Sequence, residues 1–239
     1  MFKGVTHVLK QSIEYNKKIF LDRDWMNKPA LDLKSLFSKG GTKLPIRILS
    51  SKKLPLKQKT SKLTNFFTNL LNKNVKHLGN SLFSDTLIIH IHGGGFISTS
   101  SKTHQIYTIK WANLLKIPIF SIDYRLAPEY PYPAALDDCL LAYEWLVNNV
   151  YDYFDIYPKN VILIGDSAGG NLVCALTIKL NEQKKMKVPD GIVLAYPSSI
   201  NKKNSLSFIN YKIILKNVFE NFFFYFLSFG FKTMEIHSK

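Results

Sequence analysis

Val161-Ile162-Leu163-Ile164-Gly165-Asp166-Ser167-Ala168-Gly169-Gly170-Asn171-Leu172-Val173-Cys174-Ala175-Leu176 places a serine at the joint between two kinds of periodicity. The first four residues are a continuous apolar run, the pattern of a strand covered on both faces. From Asn171 to Leu180 the apolar residues fall at helical spacing. The residues between are small, because a strand that turns sharply into a helix brings the two backbones close together. Such a turn lifts the Ser167 hydroxyl above the sheet. G-x-S-x-G in a strand–turn–helix context marks a nucleophilic serine.

A second glycine motif stands upstream. His90-Ile91-His92-Gly93-Gly94-Gly95-Phe96 follows the apolar Leu87-Ile88-Ile89, so a glycine triplet leaves an early strand. Between the motifs the pattern is regular. Thr103–Leu115 reads as a helix with Tyr107, Trp111 and Leu114 on one face, and Ile117–Ile122 as a buried strand. Pro133 opens a helix through Val147, with Asp137 and Asp138 in its first turns, where the helix dipole favours negative charge. Gly191–Tyr196 is a last strand. This alternation predicts an α/β fold with a doubly wound, mostly parallel sheet.

The chain divides into three parts. Residues 1–80 are basic and irregular, with helical patterns over Val8–Phe20 and Lys62–Leu71 and a loop-like stretch marked by Gly40-Gly41, Pro45 and Pro55. They are expected to form a cap or a flexible arm. Residues 84–199 carry the regular pattern. Residues 200–239 are a Lys-, Asn-, Phe- and Ile-rich tail whose apolar run Phe222–Phe231 is too short to cross a bilayer, which takes roughly 20 residues.

At 239 residues and 46% hydrophobic, the chain can bury one substantial core. Cys139 and Cys174 lie in helical patterns and read as buried hydrophobes, not as a disulfide or metal set. Met1–Lys18 has no apolar core of signal-peptide length, so the expected location is cytoplasmic. The net charge of +15 is spread over scattered lysines without aromatic interleaving. That excludes a nucleic-acid partner and leaves a weak preference for anionic lipid surfaces.

Ser121-Ile122-Asp123-Tyr124-Arg125-Leu126-Ala127-Pro128-Glu129, placed between HGGGF and GDSAGGN, makes the chain resemble the hormone-sensitive lipase family of α/β-hydrolases over residues 84–199. The resemblance implies a serine carboxylic-ester hydrolase working through an acyl-serine intermediate. Ser167 would be the nucleophile, with the backbone amides of Gly93, Gly94 and Ala168 as the oxyanion hole. Each such donor is typically worth about 10²–10³ in rate, because it aims at charge present only in the transition state. Substrates would be small acyl esters or acylglycerols. No metal or organic cofactor is called for. His90 and His92 are read as holding the glycine loop, Asp166 as a local hydrogen-bonding residue, and Phe96 as lining a substrate pocket or simply packing.

A serine nucleophile needs a base and an orienting carboxylate, and in this fold they follow it in the order acid, then histidine. After Ser167 the only acids are Glu182, Asp190, Glu220 and Glu235, and the only histidine is His237. None matches the family's acid or histidine motifs. The fold is therefore expected to be incomplete at its C-terminal end. The alternative reading is a catalytically inactive binding module of the same fold, resembling the gibberellin receptors that lost the catalytic histidine, or an inactive fragment.

Overall fold

The computed structural model describes residues 12–25, 33–39, 42–56 and 83–198. Its elements run β1 (Tyr15–Leu21), α1 (Leu33–Phe37), β2 (Leu44–Ser50), β3 (Ser84–Ile91), α2 (Gln105–Leu115), β4 (Ile119–Ile122), α3 (Ala134–Phe154), β5 (Ile156–Asp166), α4 (Ala168–Gln183) and β6 (Gly191–Ala195). The described strands form a six-stranded sheet in the order β1-β2-β4-β3-β5-β6. The four strands from β4 to β6 are mutually parallel, while β2 runs antiparallel to β4 and β1 antiparallel to β2.

Strand alternation splits the core into two layers, because successive side chains point to opposite faces. Leu87, Ile89, Ile91, Phe120, Ile122, Val161 and Leu163 face α3 and α4, where they meet Trp145, Leu146, Leu172 and Leu176. Ile88, Ile119, Ile162 and Ile164 face the other way, against Trp111 and Ala112 of α2. The sheet is thus covered on both faces, and the largely apolar runs of β3, β4 and β5 follow from that burial. Helix α3 continues to Phe154, two turns past the sequence expectation, because Val150, Tyr153 and Phe154 keep the apolar stripe against the core.

Two expectations for the N-terminal part are corrected. Tyr15–Leu21 is a strand, not part of a helix over Val8–Phe20, and the loop-like stretch around Pro45 is strand β2. Full register with β2, from Tyr15 opposite Ser50 to Leu21 opposite Leu44, pairs the side of the β1 backbone that faces β2. Ile19, Leu21, Leu44, Ile46 and Ile48 are completely buried in the core beneath α3. Tertiary pairing across 29 residues or so outweighs the local helical spacing. Residues 15–21 and 44–50 therefore extend the sheet and are neither cap nor arm. The Lys62–Leu71 pattern and the tail 200–239 lie outside the described residues. No helix among the described residues is long and apolar enough to cross a membrane.

Candidate active site

Ser167 sits alone between the last residue of β5 and the first of α4. Its backbone has φ 48° and ψ −118°, a region L-residues occupy only under strain. Three bonds hold it there. Ser167 N–H donates to the Ala195 carbonyl at 2.9 Å, while the Ser167 carbonyl accepts from Asn171 N–H at 3.1 Å and Ser198 N–H at 3.2 Å. A side chain at Gly165 would strike the backbone of Gly169 and Gly170, and one at Gly169 would strike the carbonyls of Ile91 and His92. The helix therefore descends directly onto the ends of β3 and β5, which no residue with a Cβ permits.

That close approach brings the glycine loop against the elbow. The loop is pinned at its start: Tyr124 O–H donates to the His92 carbonyl at 2.8 Å, and the two rings stack at 4.2 Å. The Gly93 carbonyl accepts from His92 Nδ1–H at 2.8 Å and from Thr99 O–H at 2.6 Å. The chain then turns through Gly94 at φ 117° and Gly95 at φ 63°. The Gly94 carbonyl accepts from the amides of Ile97 and Ser98 and from the Ser98 hydroxyl, which closes the turn.

Among the expected oxyanion donors, Gly93 is corrected. Its N–H donates to Asp166 Oδ1 at 3.1 Å and is already committed. The amides of Gly94 and Gly95 make no hydrogen bond among the described residues. Ala168, first in α4, has no intrahelical acceptor for its N–H.

Asp166 is the hub behind this arrangement, and sequence reading credited it with only a local bond. Besides Gly93 N–H, its carboxylate accepts Tyr107 O–H at 2.9 Å and Tyr196 O–H at 3.3 Å, and His104 Nε2 stands 3.4 Å away. Burial alone would raise its pKa, but hydrogen bonding, above all from the facing His104 ring, outweighs that and holds the carboxyl well below the usual range. His104 is pulled the opposite way by burial, and again Asp166 wins, so its pKa is raised. His90 is fully buried and its pKa is lowered by that burial. A neutral ring fits its contacts: Tyr107 spends its proton on Asp166, so His90 Nε2–H donates to Tyr107 at 3.0 Å and His90 Nδ1 accepts from Ser121 O–H at 2.7 Å. Although His90 Nε2 is also 3.8 Å from Asp166, His104, at 3.4 Å and with its pKa raised, is the nearer ring to the carboxylate.

Burial likewise pushes His92 down to about 4. Between roughly pH 6.5 and pH 4 the unfolded chain takes up a proton that folded His92 refuses, so stability falls as the pH is lowered. The stabilisation lost is about 3 kcal/mol at 1.36 kcal/mol per pKa unit. Urea unfolding of His92→Asn, whose side-chain amide can replace Nδ1–H, is expected to lose about 3 kcal/mol less than the unsubstituted protein over that window. Equal pH slopes for the two proteins would refute the assignment.

An apolar cleft of about 360 Å³ opens beside the elbow. Its walls are Phe96 and Ile97 from the glycine loop, Tyr130 and Tyr132 from the segment leading into α3, Leu136 of α3 itself, and Asn171, Leu172 and Ala175 of α4. Phe96 both lines this cleft and packs on the core.

The structure separates the remaining candidates from the serine. Asp190 accepts Val161 N–H, midway along β5, at 2.8 Å and pairs with Lys187, at the opposite end of β6 from the Ala195 carbonyl that holds Ser167. Glu182 lies at the far, exposed end of α4. Glu220, Glu235 and His237 lie outside the described residues. His90, His92 and His104 serve the loop and Asp166, and none bonds Ser167 Oγ. No group of three His, Cys, Asp or Glu side chains among the described residues could hold a metal ion. The parts that sequence reading missed, His104, Thr99 and Tyr196, fall in loops or at element ends and carry no periodic signal.

A strained serine at a strand–helix apex, backed by a glycine loop on a mostly parallel sheet, defines a class of protein. Residues 88–228 match the family described as alpha/beta hydrolase fold, and the chain belongs to it. The matched span runs past Ser199, where the motif resemblance stops. Hormone-sensitive lipase of Mus musculus is 47% identical over 114 residues, which are 48% of this chain and 15% of that protein. An esterase of Acinetobacter venetianus is 39% identical over 111 residues, 46% of this chain and 35% of that protein. The chain thus spans only a minor part of the length of these relatives. Among solved structures, a thermostable carboxylesterase cloned from a metagenomic library superposes with a TM-score of 0.56 at 23% identity, covering 79% of this chain and 49% of that one. The Pyrobaculum calidifontis esterase superposes with a TM-score of 0.52 at 25% identity, covering 79% and 46%.

Proposed function

We propose that the protein is a serine carboxylic-ester hydrolase of the hormone-sensitive lipase type. The observation that carries the reading is the strained backbone of Ser167 at the β5–α4 apex, φ 48° and ψ −118°, beside loop amides that have no partner among the described residues. In this reading Ser167 Oγ attacks the ester carbonyl carbon. The carbonyl oxygen becomes an oxyanion received by the amides of Gly94, Gly95 and Ala168. Collapse expels the alcohol, which takes a proton, and leaves acyl-Ser167. Water then attacks the acyl carbon, and the carboxylic acid departs as Oγ regains its proton. The proposal places the group that moves these protons outside the described residues. A cleft of 360 Å³ with apolar walls suits a short acyl or alcohol group, including one end of an acylglycerol. Cytoplasmic residence and salt-sensitive contact with anionic lipid surfaces belong to the same proposal, the latter resting on the net charge of +15.

The absence of a histidine bond to Ser167 among the described residues favours a second reading, a module that holds a small acid or ester in the cleft without turning it over. Treatment with an alkyl fluorophosphonate, followed by peptide mapping, separates the two. An adduct on Ser167 together with hydrolysis of p-nitrophenyl butyrate supports the hydrolase. Retention of butyrate or its ester with neither adduct nor turnover supports the binder and overturns the first reading.

A further inference from the structure

We propose that Asp166 is the positioning residue of this site, holding the glycine loop so that the Gly94 and Gly95 amides stay aimed beside Ser167. The proposal rests on the hydrolase reading for its kinetic consequence but not for its structural one.

The geometry behind it is a single carboxylate joining four segments. Oδ1 accepts from Gly93 N–H on the loop and from Tyr107 O–H on α2, at 3.1 and 2.9 Å. Oδ2 accepts from Tyr196 O–H just beyond β6 at 3.3 Å and faces His104 Nε2 at 3.4 Å. Both oxygens are therefore directed, and the side chain is only 12% exposed. Asp166 itself is the last residue of β5, so its backbone moves with the elbow. One peptide unit separates it from Ser167, and one separates Gly93 from the Gly94 amide. The Asp166–Gly93 bond is thus the shortest covalent and hydrogen-bonded path from nucleophile to loop donors.

The first glycine of the triplet follows from the same contact. A Cβ at Gly93 would run into the Asp166 carboxylate, whereas at Gly94 the obstacle is Ser98 and a φ of 117°. Two adjacent glycines are thus required for different reasons: the first admits the tether, the second makes the turn.

Asp166→Asn keeps a carbonyl oxygen able to accept Gly93 N–H, while Asp166→Ala removes the acceptor. Amide hydrogen exchange over residues 92–97 reads the tether directly. Asp166→Ala is expected to raise exchange there by about tenfold or more, while strand β4 stays as protected as in the unsubstituted protein. The Asn variant should stay close to the unsubstituted protein. In ester hydrolysis, Asp166→Ala should lower kcat by about 10²-fold with KM nearly unchanged, the scale of a 1 Å misplacement of catalytic groups. Asp166→Asn should recover most of that loss. Unchanged exchange over 92–97 in Asp166→Ala, or equal losses of kcat in both variants, would overturn the proposal. Should Asp166→Ala not fold, Tyr107→Phe, which removes one donor and leaves the acceptor, is expected to show a smaller rise in the same peptide, and no rise would overturn it. A protein that hydrolyses no ester refutes the hydrolase reading, while the exchange measurement still decides the tether.

Discussion

Ser167→Ala is expected to abolish fluorophosphonate labelling and to lower ester hydrolysis by about 10³-fold or more, while leaving the unfolding free energy unchanged. The hydroxyl is the only group removed, and the backbone bonds that hold the elbow remain, from Ser167 N–H to Ala195 and from Ser167 carbonyl to Asn171 and Ser198. Ser167→Gly should be equally inactive but more stable by about 1 kcal/mol. Glycine occupies φ 48°, ψ −118° without a Cβ penalty, whereas serine and alanine store part of the roughly 1–3 kcal/mol that such a conformation costs. Activity and stability thus move in opposite directions at one position. Labelling that persists in Ser167→Ala would place the nucleophile elsewhere. A glycine variant no more stable than the alanine variant would show that the elbow carries no strain.

Asp138→Ala is expected to destabilise the fold by about 4 kcal/mol, the largest loss from a residue away from the serine. Asp138 has a side chain only 2% exposed and binds two arginines. Arg23, in the turn after β1, donates through Nε and Nη2 at 3.0 and 3.1 Å. Arg125, after β4, donates through its backbone amide at 2.9 Å and Nε at 3.0 Å. Removal leaves two guanidinium groups facing each other across a buried gap. Their exposures of 21% and 29% let water relieve part of the cost, which keeps the figure below the upper end for such pairs. Asp138→Asn retains an oxygen for the Arg125 amide and should lose about half as much. Urea unfolding midpoints at constant m-value measure both, and an alanine variant within 1 kcal/mol of the unsubstituted protein would refute this account.

Asp138 stands in the first turns of a helix, as its sequence predicts, but its charge answers two arginines and not the helix dipole. Its partners lie 115 and 13 residues away, and no local pattern points to them. The same limit explains β1 and β2. Lys17 and Lys18 interrupt the apolar residues of β1, and Pro45 and Arg47 interrupt β2, so neither shows the uncharged, largely apolar run that makes the buried parts of β3, β4 and β5 legible.

The sequence by itself determined the elbow, the glycine loop and the four parallel strands with their helices, because each is written in residues adjacent along the chain: small residues at a turn, apolar runs in covered strands, helical spacing in between. Tertiary structure alone decided which amides remain unpaired among the described residues. Gly93 and Gly94 are indistinguishable as letters, yet one points at a carboxylate 73 residues further on and the other does not. A hydrogen bond depends on where two segments meet in space, and that is set by the packing of α4 against β3 and β5.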